Sequence, residues 1–138
     1  MIKAATIFTA LVGLAASNMT PVAAADHHDT LDALASGAHR SAENKGRNAY
    51  RHPVETLTFF GLKPDMTVVE ISPGGGWYTE IIAPYVNDQG QYYGAGFDRE
   101  TEVGYYQRAN KALDDKLASD ARLYGNAIVT ELSPPDKT

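Results

Sequence analysis

Residues 67–79 read Thr67-Val68-Val69-Glu70-Ile71-Ser72-Pro73-Gly74-Gly75-Gly76-Trp77-Tyr78-Thr79. The β-branched run suits a buried strand, and an acid, Glu70, lies near its end. The glycines that follow carry no Cβ, so the backbone can turn sharply and approach a ligand closely. The first amides of a helix that begins after this turn have no partner within the helix and point toward such a ligand. This order of strand, acid, glycine turn and helix predicts a parallel α/β sheet with a nucleotide-like pocket.

The carboxylate of Glu70 restricts the chemical class of ligand that the pocket can bind. A carboxylate at the carboxyl end of the strand repels phosphate, whereas it suits an ammonium or a hydroxyl group. This favours an aminoacyl nucleoside over a dinucleotide pyrophosphate. A nicotinamide-cofactor domain would also need G-x-G-x-x-G directly after the strand, and residues 72–79 do not supply it. The other interpretation is a tight turn without a ligand, but the acid, the glycines and the helix start occur together, which favours the ligand.

The segment Glu70-Ile71-Ser72-Pro73-Gly74-Gly75-Gly76 resembles the first motif of class I S-adenosylmethionine (SAM) dependent methyltransferases. That motif reads acid, apolar, Gly, any, Gly, any, Gly. Glu70, Gly74 and Gly76 match it, and Ser72 replaces the first glycine. A longer run, from Tyr50-Arg51-His52-Pro53 to Ala83-Pro84-Tyr85, is similar to an exported bacterial group of predicted methyltransferase-like proteins. The resemblance covers residues 40–98.

The resemblance implies a Rossmann-like parallel sheet with flanking helices, here the N-terminal half of a methyltransferase fold with about three strands. It implies SAM as cofactor and a small-molecule methyl acceptor of unknown identity. No catalytic residue is indicated, because methyl transfer depends mainly on alignment of the reactants. The cofactor-binding residues that it implies are Glu70, Ser72, Gly74, Gly75, Gly76, Tyr78, Thr79 and Asp98.

Asp98 has two interpretations of equal weight. In SAM-binding folds an acid near the end of strand two accepts hydrogen bonds from the ribose hydroxyls, and the expected place here holds Gly96. Asp98 lies two residues later, which is one strand repeat, so its side chain can point the same way if the strand extends. Alternatively, Asp98 is the N-cap of the helix that follows, with Arg99 at the first helical position.

Charged and aromatic residues flank the glycine turn. Arg47, Arg51 and His52 precede the helix that starts at Pro53. Arg51 and His52 can bind an anionic substrate group, although surface charge on a lead-in segment is the more common interpretation. Trp77 and Tyr78 either line the pocket or pack in the core, and packing is the more common role.

The ends of the chain suggest export and an incomplete sheet. Residues 1–25 combine an early lysine, an apolar stretch and an A-x-A site, which is the pattern of a secretory signal peptide. The expected organisation is this signal peptide, a helical lead-in segment over residues 26–52, and a partial SAM-binding domain over residues 53–138. The expected location is the periplasm or the exterior, with no stable membrane anchor after cleavage. From residue 67 onward there is room for about three strands, so we expect a truncated chain of marginal solubility.

Composition excludes some partners. The 138 residues carry a formal net charge of −5 and no cysteine. An acidic chain without a basic stripe is a poor binder of nucleic acid. His39 and His52 have no partners at the spacing of zinc ligands, so the sequence suggests no metal site.

Hydrophobic periodicity predicts the remaining elements. The expected helices cover residues 29–36, 53–60, 78–86 and 100–119, and the expected strands cover residues 67–71, 91–95 and 122–124. Residues 128–132 are ambiguous. Val54, Leu57 and Phe60 are predicted to face the core from one helix. Another helix is predicted to bury one face, formed by Val103, Tyr106, Asn110, Leu113 and Leu117.

Two functions remain open. The first is a SAM-dependent methyltransferase, either complete or left incomplete by the short sheet. The second is a non-catalytic exported domain that binds a ligand or a partner on a methyltransferase-like scaffold, which the doubtful supply of SAM outside the cytoplasm and the displaced Asp98 favour. Fold alone does not decide between them.

Overall fold

The structure is a computed structural model that describes residues 25–132. The proposed signal peptide and the Pro134-Pro135 segment lie outside the described residues, apart from Ala25. Within residues 25–132, no helix combines the length and the apolar character needed to cross a membrane. The elements, in chain order, are α1 (Ala25–Ser36), α2 (Ala42–Gly46), α3 (Asn48–Arg51), α4 (Pro53–Phe59), β1 (Thr67–Ile71), α5 (Thr79–Val86), β2 (Gln91–Gly96), α6 (Gly104–Ser119), α7 (Ala121–Tyr124) and β3 (Ile128–Glu131).

The three strands form one parallel sheet in the order β1-β2-β3. Glu70 of β1 pairs with Gly94 of β2, and Gly94 pairs with Val129 of β3. The Ser72 amide donates to the Ala95 carbonyl at 2.9 Å, so pairing continues one residue beyond β1. The predicted class, an α/β fold with an open parallel sheet and flanking helices, is confirmed.

The core lies between one face of the sheet and the helices. Alternate strand residues point to opposite faces, and Val68 packs with Tyr92 against Ile81 and Ile82 of α5. On the other face, Val69 is 57% exposed. The helices therefore cover the face that also carries Glu70, which places its carboxylate beside the start of α5.

The third strand was predicted in the wrong place. Residues 121–124 form α7, and the strand is Ile128–Glu131, which the sequence left ambiguous. The Asp120 side chain accepts a hydrogen bond from the Arg122 amide at 2.9 Å, which is an N-cap that starts a helical turn. Tyr124 is buried at the end of this turn.

The long helix begins later than predicted. It starts at Gly104 and not at residue 100. Asp98 is therefore not a helix N-cap: its Oδ1 accepts a hydrogen bond from the Glu100 amide at 2.8 Å within a turn. Val103 precedes the first helical residue and is exposed, contrary to the predicted buried face, whereas Leu113 is buried as predicted.

One predicted core residue lies at the surface. Val54 and Leu57 of α4 are buried, but Phe60 is 75% exposed. The helix ends at Phe59, and the Phe60 ring packs edge-on against the Phe59 ring with centroids 5.6 Å apart. The helical spacing therefore stops predicting burial at the last turn.

Candidate functional site

Glu70 lies at the carboxyl end of β1 with one of its two carboxylate oxygens already occupied. Its Oε2 accepts hydrogen bonds from the Tyr92 hydroxyl at 2.7 Å and from Thr79 Oγ1 at 2.8 Å. Within residues 25–132, Oε1 accepts no hydrogen bond. The carboxylate is thus oriented by protein groups on one side and free to accept from a ligand on the other.

Burial raises the pKa of Glu70 above its usual value, while the hydrogen bonds from Tyr92 and Thr79 lower it in part. Burial, together with the Glu70 charge, also raises the pKa of Tyr92. Tyr92 therefore stays protonated and keeps its hydroxyl hydrogen as a donor to Glu70. A partly buried carboxylate of this kind gains from a cationic ligand, because an opposite charge offsets the cost of burial.

The loop after β1 takes up left-handed backbone conformations at three positions. The φ angles are 53° at Ser72, 57° at Gly74 and 81° at Gly76. Glycine adopts this region without penalty, whereas serine is strained there. A Cβ on Gly76 would lie 2.9 Å from Lys116 Cδ and 3.3 Å from Thr79 Cβ, so this glycine also permits close packing of the loop.

Two amides of this loop have no acceptor among the residues that the structure describes. Within the described part of the chain, the N–H groups of Gly74 and Gly75 donate no hydrogen bond. A Cβ on Gly74 would meet no atom within 4 Å. The backbone there is open to an approaching molecule, as a ligand-binding loop requires.

A polar cavity of about 480 Å³ lies over the loop. Its volume is in the range of small-molecule sites. Five of the eight predicted cofactor-binding residues line it: Glu70, Ser72, Gly74, Gly75 and Tyr78. Gly76 and Thr79 lie behind them, where Thr79 orients Glu70 and Gly76 allows the turn.

Asp98 does not line this cavity. Its side chain is exposed beyond the end of β2. The backbone carbonyl of Asp98 accepts a hydrogen bond from Asn110 Nδ2 at 3.1 Å, which ties the segment to α6. Its role toward a ribose stays a prediction.

The lead-in segment supplies one wall of the cavity. Asn44, Arg47 and Arg51 line it, together with Trp77. Trp77 is buried, and its Nε1 donates to the Asn44 carbonyl at 2.9 Å. Trp77 therefore both packs and lines the site. The sequence had singled out Arg51 but gave no signal for Asn44, whose contribution depends on how the lead-in folds over the loop.

His52 was predicted to act together with Arg51, but only Arg51 lines the cavity over the loop. His52 adopts a left-handed φ of 43° between α3 and α4. Its Nδ1 lies 3.8 Å from Glu55 Oε1, and both side chains are exposed. His52 does not line the cavity over the loop.

Beneath the loop, Glu80 connects three parts of the fold. Its fully buried carboxylate accepts from Arg40 Nε at 2.9 Å, from Asn44 Nδ2 at 3.0 Å and from the Lys116 ammonium. Burial favours the neutral form, but the bonds from Lys116 and Arg40 outweigh it and lower the pKa of Glu80. The sequence gave no indication of this network, because its members lie about 40 residues apart.

A second cavity, of about 510 Å³, runs along the open edge of β1. It is mostly apolar, with Leu57, Phe60 and Met66 among its walls. Glu70, Ile71 and Tyr78 line both cavities, so the two spaces are adjacent at the end of β1. A ligand held by Glu70 would therefore have an apolar space next to it.

Comparisons with known proteins give one structural similarity. No family model matches the chain, and a search of curated proteins found no significant match. The fold is similar to that of a cyclopropane-fatty-acyl-phospholipid synthase-like protein from Lactobacillus casei, with a TM-score of 0.49 and 18% sequence identity. The alignment covers 78% of this chain and 39% of that protein, so the chain spans well under half of its length.

Proposed function

We propose that this chain binds SAM over the loop of residues 72–76 and serves transfer of its methyl group to a small acceptor. The observation that carries the proposal is the half-occupied carboxylate of Glu70 beside a loop with free amides. SAM presents an ammonium group and ribose hydroxyls, and both are hydrogen-bond donors that a carboxylate oxygen can accept.

The protein groups have limited chemical roles in this proposal. Thr79 and Tyr92 orient Glu70, Glu70 binds the cofactor, and the glycine loop admits it. The proposal requires no catalytic base, because holding the acceptor in line with the methyl carbon lowers the barrier by a large amount, on the order of 7 kcal/mol or more.

Calorimetric titration of the purified chain with SAM tests the proposal. We expect micromolar binding, with NAD giving no heat, and a loss of SAM affinity in Glu70→Ala. Glu102→Ala is the matched control, since Glu102 is exposed. Equal SAM affinity in Glu70→Ala and wild type would overturn the assignment of the site, and absence of SAM binding in wild type would overturn the function.

A second candidate is a non-catalytic domain that binds a ligand on this scaffold. The specific observation in its favour is Asp98, which lies outside the cavity wall, so the site has one acid where two are expected from the resemblance. SAM binding without methyl transfer to any member of a panel of small acceptors would favour this candidate.

The proposal includes export. The pattern of residues 1–25 supports a periplasmic or secreted protein with no stable membrane anchor after cleavage. The net charge of −5 supports the expectation that the protein has no nucleic-acid partner. N-terminal sequencing of the protein from a periplasmic extract is expected to read Asp26-His27-His28. A sequence that begins at Met1 in a cytoplasmic extract would contradict it.

A further inference from the structure

Two arginines of the lead-in segment face the cavity over the loop and have no acidic partner among residues 25–132. Arg47 lies between α2 and α3, and Arg51 is the last residue of α3. Their guanidinium carbons lie 5.5 and 4.4 Å from the centroid of the Trp77 ring. Arg51 also lies 5.4 Å from the Tyr78 ring centroid. The two cations are thus held over one aromatic surface by cation–π contacts.

These two arginines combine an unpaired guanidinium with a place in the cavity wall, whereas Arg108, which is also unpaired among the described residues, lies outside that wall. Arg40, Arg99 and Arg122 each form an ion pair with a carboxylate. Within residues 25–132, neither Arg47 nor Arg51 makes an ion pair or a side-chain hydrogen bond. Since a guanidinium carries five donors in a planar fork, the pair presents unused donors to the cavity.

The other lining groups differ in what they offer an anion. The free amides of Gly74 and Gly75 belong to the same wall and favour it, whereas Glu70, the single carboxylate among the described lining residues, opposes it. The chain as a whole has a net charge of −5, so general attraction does not bring anions to it. Binding would depend on the local geometry of the two arginines and the loop.

We propose that Arg47 and Arg51 form an anion subsite that takes a carboxylate or phosphate group. Planar forks of this kind bind such groups with two parallel hydrogen bonds. The inference rests on the proposed function only in that both place a ligand in this cavity. The oxyanion belongs either to the cofactor or to the methyl acceptor.

Trp77 provides a direct readout, because it is the single tryptophan in the sequence and lies under both guanidinium groups. Inorganic phosphate is titrated into the full chain while tryptophan emission is recorded, with chloride at the same ionic strength as the reference. We expect a saturable change with phosphate alone. Emission that responds equally to chloride, or not at all to phosphate, would overturn the proposal.

Variants separate the subsite from general charge effects. Arg51→Gln is expected to weaken phosphate binding about tenfold, the effect of losing one charge-assisted contact. Arg51→Lys keeps the charge but loses the planar guanidinium, so its phosphate affinity is expected to lie between those of the wild type and Arg51→Gln. Arg108→Gln is the control, because Arg108 is exposed on α6 and outside the cavity wall. Equal phosphate affinity in all four proteins would refute the subsite. Thermal melts establish that each variant folds.

The source of the oxyanion follows from competition. If Arg51→Gln weakens the binding of SAM but does not change the binding of decarboxylated SAM, the cofactor supplies the anion. If phosphate binds in the presence of saturating SAM, the acceptor supplies it. If the protein binds phosphate but not SAM, the subsite is supported and the proposed function is overturned. If it binds SAM but not phosphate, the proposed function is supported and the subsite is overturned.

Discussion

Ser72 carries the backbone strain of the loop. Its φ of 53° is in the left-handed region, where the Cβ of an L-residue approaches the following carbonyl oxygen. A glycine at this position would remove that contact, and glycine is the residue that the resemblance predicts there. The loop geometry therefore follows the glycine pattern even where the side chain departs from it.

Ser72→Gly is expected to keep the loop conformation and to stabilise the fold by about 1 kcal/mol or less, because relief of strain is partly offset by the greater entropy of glycine in the unfolded chain. Urea unfolding gives the change in free energy. Ser72→Ala keeps the strain and serves as the comparison. A destabilisation by glycine larger than that by alanine would show that the Ser72 side chain supports the loop.

Glu70→Gln is expected to stabilise the fold near pH 8 by roughly 0.5–2 kcal/mol while weakening SAM binding, as substitutions of functional acids often do. The pKa of Glu70 is raised in the folded state, so ionisation costs stability as the pH rises above 4.5 through the folded-state value. The advantage of the glutamine variant should therefore shrink as the pH falls back through that window. Thermal melts from pH 8 to pH 4 measure the stability difference between Glu70→Gln and the wild type. A difference that grows as the pH falls would contradict the prediction.

At the scale of elements, Glu80 holds the lead-in segment, α5 and α6 together beneath the site. Arg40 and Asn44 come from the lead-in, and Lys116 comes from α6. The Asn44 carbonyl also accepts a hydrogen bond from the Trp77 indole. The same contacts therefore position the Trp77 ring, on which Arg47 and Arg51 lie. The position of the anion subsite thus depends on a buried carboxylate that does not line the cavity.

Glu80→Gln is expected to destabilise the fold by about 3 kcal/mol, because it leaves the buried Arg40 guanidinium without its counter-charge. The pKa of Glu80 is lowered in the folded state. The contribution of Glu80 to stability is therefore present above pH 4.5 and is lost as the pH falls through the pKa that Glu80 has in the folded state. Urea unfolding at pH 7 and at acid pH measures both effects. A loss for Glu80→Gln no larger than that for the exposed Glu102→Gln would contradict the network's role.

The sequence predicted the elements with local signals and missed those set by distant contacts. Residues 67–76 were predicted as strand and turn because β-branched residues and glycines act locally. Residues 122–124 were predicted as a strand, but the Asp120 side chain caps a helical turn over Ala121–Tyr124. Of the site, Glu70 and the glycines were predicted, whereas the pairing of Asn44 with Glu80 depends on a chain path that local patterns do not encode.

At the scale of the whole molecule, the sheet leaves an apolar edge and part of one face uncovered within residues 25–132. Val69 and Ile71 of β1 are 57% and 66% exposed, and Phe60 lies near the same edge. β1 pairs with a described strand on one side alone. Unpaired strand edges with exposed apolar side chains favour association between chains.

The purified chain is therefore expected to associate with itself in proportion to its concentration, through β1. Val69→Lys is expected to reduce this association, because a charge on an edge strand opposes pairing with another strand. Ala118→Lys on the exposed side of α6 adds the same charge elsewhere and should leave association unchanged. Sedimentation velocity over a range of concentrations measures the distribution of species. A monomer at all concentrations, or equal effects of the two lysines, would show that the β1 edge does not drive contact between chains. Since Glu70 lies on the same strand, association that blocks SAM binding would further place the contact at the edge beside the site.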